Sequence, residues 1–124
     1  MPDISKRLEK AEKSLQRGKP EAALEEYLGI LDEDPGNSTV RETAADLCLA
    51  LGRSREAVTL LSTLLESEIK ASDSVKGIVT YKKLAKVGTP SPLQTFHYAQ
   101  FVEKRDRKEA LEAYEHSRQR QSSR

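Results

Sequence analysis

The chain has 124 residues, of which 36% are hydrophobic and 33% charged, with no tryptophan. That length fits one domain, and the low apolar content suits a thin stack of helices better than a compact globule. With 21 basic and 20 acidic residues the net charge is +1, which excludes a global field drawing in nucleic acid or an anionic membrane. The single cysteine, Cys48, excludes an intramolecular disulfide and lacks companions for a zinc cluster. The start, Met1 to Arg7, is polar and has no apolar signal-peptide core. Charges also break every apolar run well short of the roughly 20 residues that a membrane span needs. The expectation is a soluble, cytoplasmic protein with no membrane segment.

Apolar spacing and the residues that interrupt it predict seven helices. The first runs from about Asp3 to Arg17, with Ile4, Leu8, Ala11 and Leu15 on one stripe, and Gly18 is placed to take the left-handed conformation that ends a helix. Pro20 suits the first turn of the second helix, where its missing N–H costs nothing. Ala23, Leu24, Tyr27, Leu28, Ile30 and Leu31 are too many for a narrow stripe, so this helix should be buried on two sides. It ends at Asp34-Pro35-Gly36-Asn37. The third helix, from about Ser38 to Leu51, brings Val40, Ala44, Leu47, Cys48 and Leu51 to one side, and Gly52 repeats the role of Gly18. The fourth starts near Ser54 and carries Ala57, Val58, Leu60, Leu61, Leu64, Leu65 and Ile69.

Val75, Ile78, Tyr81, Leu84 and Ala85 predict a fifth helix from Asp73 to Val87, closed by Gly88. Ser91 and Gln94 have the spacing of a capping box, with Pro92 in the first turn of a sixth helix that holds Phe96, Tyr98, Ala99, Phe101 and Val102. The aromatics at this spacing read as packing residues. Asp106 with Glu109 offers a similar start for a seventh helix containing Ala110, Leu111 and Tyr114.

A shift of 34 residues lays Ala11 on Ala45, Leu15 on Leu49, Gly18 on Gly52, Ala23 on Ala57 and Leu31 on Leu65. A period of about 34 with a small residue in each helix and a Gly at the turn is the tetratricopeptide signature. Ser5 to Asn37 and Ser38 to Ser72 resemble tetratricopeptide repeats. Their second helices match through Ala23, Tyr27, Ile30 and Pro35, then Ala57, Leu61 and Leu64, with Ile69 in place of the closing Pro. Their first helices depart: Lys10-Ala11 and Ala44-Ala45 replace the usual Leu-Gly, and the aromatic places hold Arg7 and Ser14, then Arg41 and Cys48.

The resemblance implies an all-α fold, an α-solenoid of about seven antiparallel helices in a right-handed superhelix. A single domain is expected over 1–118, with repeats at about 4–37 and 38–72, an extra helix at 73–88, a degenerate third repeat at about 91–118 and a disordered tail at 119–124. A competing registration makes helices five and six the third repeat and helix seven a cap, and the sequence leaves both open.

Stacked repeats present a surface to a partner, and the resemblance implies protein–protein interaction through the inner face of each first helix. Carried over by alignment, that groove holds Leu8, Glu12, Leu15, Glu42, Asp46 and Leu49. Three carboxylates among leucines suit a peptide or protein with basic and apolar side chains. The subset of the family that clamps a chaperone's C-terminal carboxylate needs Lys and Asn where Leu8, Glu12 and Glu42 stand, so that specificity is not expected. Two alternatives remain. Lys82, Lys83 and Lys86, with Arg118, Arg120 and Arg124, could contact nucleic acid phosphates; Leu111 and Tyr114 could be buried in self-association.

No chemistry emerges. His97 and His116 lack acid or cysteine neighbours at ligand spacing, Cys48 falls at an inward position, and Gly18, Gly36, Gly52, Gly77 and Gly88 punctuate turns and helices instead of forming a phosphate loop. No catalytic residue, metal site or cofactor is expected, and the chain reads as a binding module and not an enzyme.

Overall fold

The computed structural model describes residues 4–122, with side chains described as far as residue 115. It contains six helices: α1 (Ile4–Gln16), α2 (Pro20–Glu33), α3 (Ser38–Ala50), α4 (Ser54–Lys70), α5 (Ser74–Val87) and α6 (Pro92–Ser122). Among the described residues there is no strand. Each helix packs on its neighbours in the chain, and the remaining helix contact is between α4 and α6, which is the consecutive packing of a helical solenoid. The helix starts fall where the punctuation placed them. Pro20 opens α2, Asn37 caps α3 by accepting from the Val40 N–H at 3.1 Å, and Asp73 caps α5 by accepting from the Lys76 N–H at 3.1 Å.

The core is a row of alanines flanked by large aliphatics. Ala11, Ala23, Ala45 and Ala57 are fully buried beside Leu24, Ile30, Leu61 and Leu65. Cys48 is buried in the same cluster. As expected, α2 is buried on more than one side, through Ala23, Leu24, Tyr27, Ile30 and Leu31.

Three turns share one hydrogen-bond pattern. Gly18 donates to the Leu15 carbonyl at 3.1 Å while Lys19 reaches Ser14 at 2.8 Å; Gly52 donates to Leu49 at 3.3 Å while Arg53 reaches Cys48 at 2.8 Å. After α4 the same pair is made by Ser72 to Ile69 at 3.0 Å and Asp73 to Glu68 at 2.9 Å. All three pivot residues are left-handed, with φ of 71° at Gly18, 73° at Gly52 and 54° at Ser72. Only the third carries a Cβ in that conformation, which costs a side-chain-bearing residue about 1–2 kcal/mol.

The seventh helix does not exist as a separate element. α6 runs without a break through Asp106 to Ser122, because no Gly or Pro interrupts it after Pro92 and because ion pairs Arg105–Glu109 and Arg107–Glu103, each four residues apart, carry the helix across the expected junction. At about 1.5 Å per residue α6 is more than twice as long as α5, and every residue from Glu103 to Glu115 is exposed. The helix reaches into the segment 119–124 expected to be a disordered tail, whose last two residues lie outside the described ones.

Four features hold the first half of α6 in place. Ser91 and Gln94 form the capping box, with the Ser91 N–H donating to Gln94 Oε1 at 2.9 Å and the Gln94 N–H to Ser91 Oγ at 3.1 Å. The Gln94 amide nitrogen then donates to Ser62 Oγ at 3.1 Å and Glu66 Oε1 at 3.0 Å on α4. Tyr98 stacks on Tyr81 of α5 at 4.0 Å between ring centres, and the buried Phe101 ring covers Gly77. Gly77 is therefore a packing position inside α5 and not helix punctuation. A Cβ there would lie 2.6 Å from Phe101 Cε2. Of the aromatics assigned to packing, Phe96 is exposed and meets only the edge of His97.

Two outcomes follow for stability. Ser72→Gly should raise it by about 0.5–1 kcal/mol, the relieved strain less the added chain entropy of glycine, seen as a higher midpoint in urea. Gly77→Ala should lower it by about 1–2 kcal/mol despite alanine's better helix propensity, since the Phe101 ring must move; hydrogen exchange should then speed up in α6 more than in α1 and α2.

Candidate functional site

The structure separates the six expected groove residues by environment. Leu8 and Leu49 are half-buried and pack against the core, so their apolar surface is largely committed to folding. Leu15, Glu12, Glu42 and Asp46 are exposed. Glu12 lies close enough to Tyr27 to add to the effect of burial in pushing that phenol above its ordinary pKa. Asp46 is engaged: Lys83 Nζ donates to its Oδ1 at 2.9 Å, bridging α3 to α5. The same bond removes Lys83 from the lysine group proposed for phosphates, leaving Lys82 and Lys86 exposed beside it. The side chains of Arg118, Arg120 and Arg124 lie outside the described residues, as does that of His116.

Glu42 belongs to a feature that sequence reasoning missed. A cavity of about 260 Å³ opens between the start of α3, the end of α4 and the start of α5, lined by Ser38, Thr39 and Glu42, by Leu64, Ser67, Glu68 and Ala71, and by Asp73 and Lys76. Glu68 is only 7% exposed, and its Oε1 has no hydrogen-bond partner among the described residues. Burial raises its pKa most; Asp73 and Glu42 push the same way, while a hydrogen bond from Thr80 and the charge of Lys76 pull it down. Three carboxylates thus face one ammonium around a half-enclosed space. The signal available in sequence was a charged residue, Glu68, on an apolar stripe between Leu65 and Ile69.

Residues 14–71 match the family model described as tetratricopeptide repeat. This segment belongs to the tetratricopeptide repeat family. A search of curated proteins finds no match. Among solved structures, the chain is similar to the crystal structure of the P58(IPK) TPR domain, at 24% identity and a TM-score of 0.42 over 94% of this chain. The chain spans 37% of the length of that one.

Tetratricopeptide repeats serve protein–protein interaction, and here the first of the two aromatic places in each repeat's first helix holds an arginine, Arg7 and Arg41, with structural work of its own. The Arg7 guanidinium lies over Gly29 of α2, where a Cβ would strike it, and pairs with Glu26 at 3.6 Å. Arg41 Nη1 donates to the Pro35 carbonyl at 2.6 Å, fastening the turn between the repeats. Neither faces the cavity, so its acidic character stands uncompensated by them.

Among the described residues no group of His, Cys, Asp and Glu side chains is arranged to hold a metal ion. Burial, then Glu56, raises the pKa of the Cys48 thiol, which keeps it protonated at neutral pH and unsuited to nucleophilic attack. No helix of the described residues is long and apolar enough to cross a membrane.

A buried carboxylate with one unsatisfied oxygen costs stability. Because the folded pKa of Glu68 is raised, its contribution is most favourable below the ordinary glutamate range and is lost as pH rises through the raised value. Glu68→Gln should therefore stabilise the protein at neutral pH by about 1 kcal/mol. The gain should fade as pH drops below about 4, where glutamate is protonated in both states. Thermal unfolding of both proteins across that range checks the sign.

Proposed function

We propose that the chain is a non-catalytic adaptor that holds a basic, partly apolar segment of a partner protein on the side formed by α1, α3 and α5. The observation that carries this reading is the acidic surface of α3, where Glu42 opens onto the cavity and Asp46 is tied to α5. Glu12 and Leu15 of α1 are exposed as well, and the proposed surface includes them. Helices already stacked around a packed core leave most of the ordering entropy to the ligand, which favours a short extended segment over a flexible surface on both sides. A cytoplasmic setting is part of the proposal, consistent with one buried, protonated thiol and no disulfide.

The packing also supports pairing α5 with α6 as a third hairpin, its long second helix overhanging the stack. Ala110, Leu111 and Tyr114 are exposed on that overhang, whereas the similarly spaced Ala23, Leu24 and Tyr27 are buried. This specific contrast favours a second reading, self-association through the overhang. Nucleic-acid binding is disfavoured by the pairing of Lys83 with Asp46.

The test is a pull-down from native lysate with the wild-type chain and a Glu12→Lys/Glu42→Lys variant, with nucleic acid assayed in the same eluate. Asp46 is left intact because a lysine there would repel Lys83 and disturb the fold. Proteins captured by the wild type and lost from the variant, at equal helicity, are the expected result; identical captures would remove this face. For the second reading, sedimentation should show a dimer that Leu111→Glu/Tyr114→Glu converts to monomer, and a monomeric wild type would end it.

A further inference from the structure

We propose that the cavity between α3, α4 and α5 is an arginine pocket, in which Glu42, Glu68 and Asp73 receive a guanidinium from the partner. This rests on the reading of the α1, α3 and α5 side as the partner-binding surface and names the side chain that anchors it.

Glu68 is the deciding residue. It is more than nine-tenths buried, it lines the cavity, and its Oε1 lacks a donor among the described residues. An acceptor in that state is costly unless something supplies a donor. The two helix N-termini at the cavity do not fill this role, since their capping acceptors already take up the Val40 and Lys76 amides. Lys76 is the only cationic side chain in the lining, and of the groups acting on Glu68 its pull is the weakest.

The chemistry selects among cations. A metal ion needs its ligands gathered within one coordination sphere, and the described carboxylates are not so arranged. An ammonium concentrates its charge at a point. A guanidinium spreads five donors over a flat fork, so one edge can bond the Glu68 carboxylate once its enclosed Oε1 turns toward the cavity, while the other meets the carboxylates of Glu42 or Asp73. The volume, about 260 Å³, equals that of several waters at about 30 Å³ each, enough for the end of a long side chain.

The turn that builds the pocket is the strained one. Ser72, left-handed at φ 54°, lies between Glu68 and Asp73, and the Asp73 N–H donates to the Glu68 carbonyl at 2.9 Å. That bond fixes the backbones of two of the three acidic residues relative to each other, and the Asp73 carboxylate is held in turn by the Lys76 N–H that it caps.

The experiment uses the full chain, labelled with ¹⁵N and with ¹³C at side-chain carboxyls, titrated with the peptides acetyl-Leu-Arg-Leu-amide, its lysine counterpart and its citrulline counterpart. The arginine peptide should shift the amides of Glu68, Asp73, Lys76 and Thr80 and lower the Glu68 carboxyl pKa by about one unit. Citrulline should bind at least about tenfold more weakly, for loss of the charge-assisted bonds. Glu68→Gln should weaken arginine binding by a similar factor while raising the melting temperature, a pairing of effects that a purely structural residue would not give. Equal binding of the arginine and citrulline peptides, with shifts confined to Glu12, Leu15 and their neighbours, would overturn the pocket and leave the groove standing. Equal binding of the lysine peptide would overturn the guanidinium assignment. No shift with any peptide would overturn both the pocket and the groove.

Discussion

Close approach of helices at four alanines is the constraint on which the architecture depends. With Ala11, Ala23, Ala45 and Ala57 all without exposed surface, the first and second helices of each repeat can draw together until the large side chains beside them interlock. A methyl group at these places is small enough for contact and, unlike hydrogen, keeps the helix propensity of the segment high. The family's usual glycine at two of them is dispensable for that reason. Once the spacing is set, Leu24, Ile30, Leu61 and Leu65 fall into one continuous core, and neither hairpin could bury that surface alone.

The same scaffold explains how an ill-satisfied carboxylate survives. Glu68 sits near the end of a long, well-packed helix whose earlier turns carry Leu61, Leu64 and Leu65 into the core. The stability lost at its unsatisfied oxygen and at the left-handed Ser72 is small beside what that burial contributes, on the order of 1.5–3 kcal/mol for each large side chain. Local cost concentrated where three helix ends converge, on a frame that holds it rigidly, is the arrangement expected of a binding site. The ion pair from Lys83 to Asp46 adds to it by tying α5 to α3 across the open side, although an exposed pair of this kind contributes at most about 1 kcal/mol.

At the other end of the molecule, Gln94 does two jobs with one side chain. Its oxygen completes the capping box and its nitrogen reaches Ser62 and Glu66, so the start of α6 is fixed both in conformation and in position. Phe101 over Gly77 completes the contact. From Glu103 onward every described side chain is exposed, and charged pairs four residues apart support the helix's own backbone bonds.

Local rules made much of this readable. The left-handed Gly18 and Gly52, Pro20 and Pro92 at first turns, the Ser91–Gln94 box and the buried alanines all follow from interactions within a few residues or from the 34-residue period, and the sequence alone determines them. It also determined the tetratricopeptide character of residues 14–71. The continuity of α6 was hidden because Asp106 and Glu109 satisfy a capping pattern that ion pairs one turn apart override. The candidate site was legible only in Glu42. Glu68 and Asp73 come from a different helix and the turn after it, and their charges meet Glu42 only after α3, α4 and α5 are stacked. Whether Asp46 and Lys83 are free or joined, and whether a glycine turns the chain or receives a phenyl ring, was likewise decided by tertiary structure, because burial and proximity between residues far apart in the chain belong to the packed state and to no shorter segment of it.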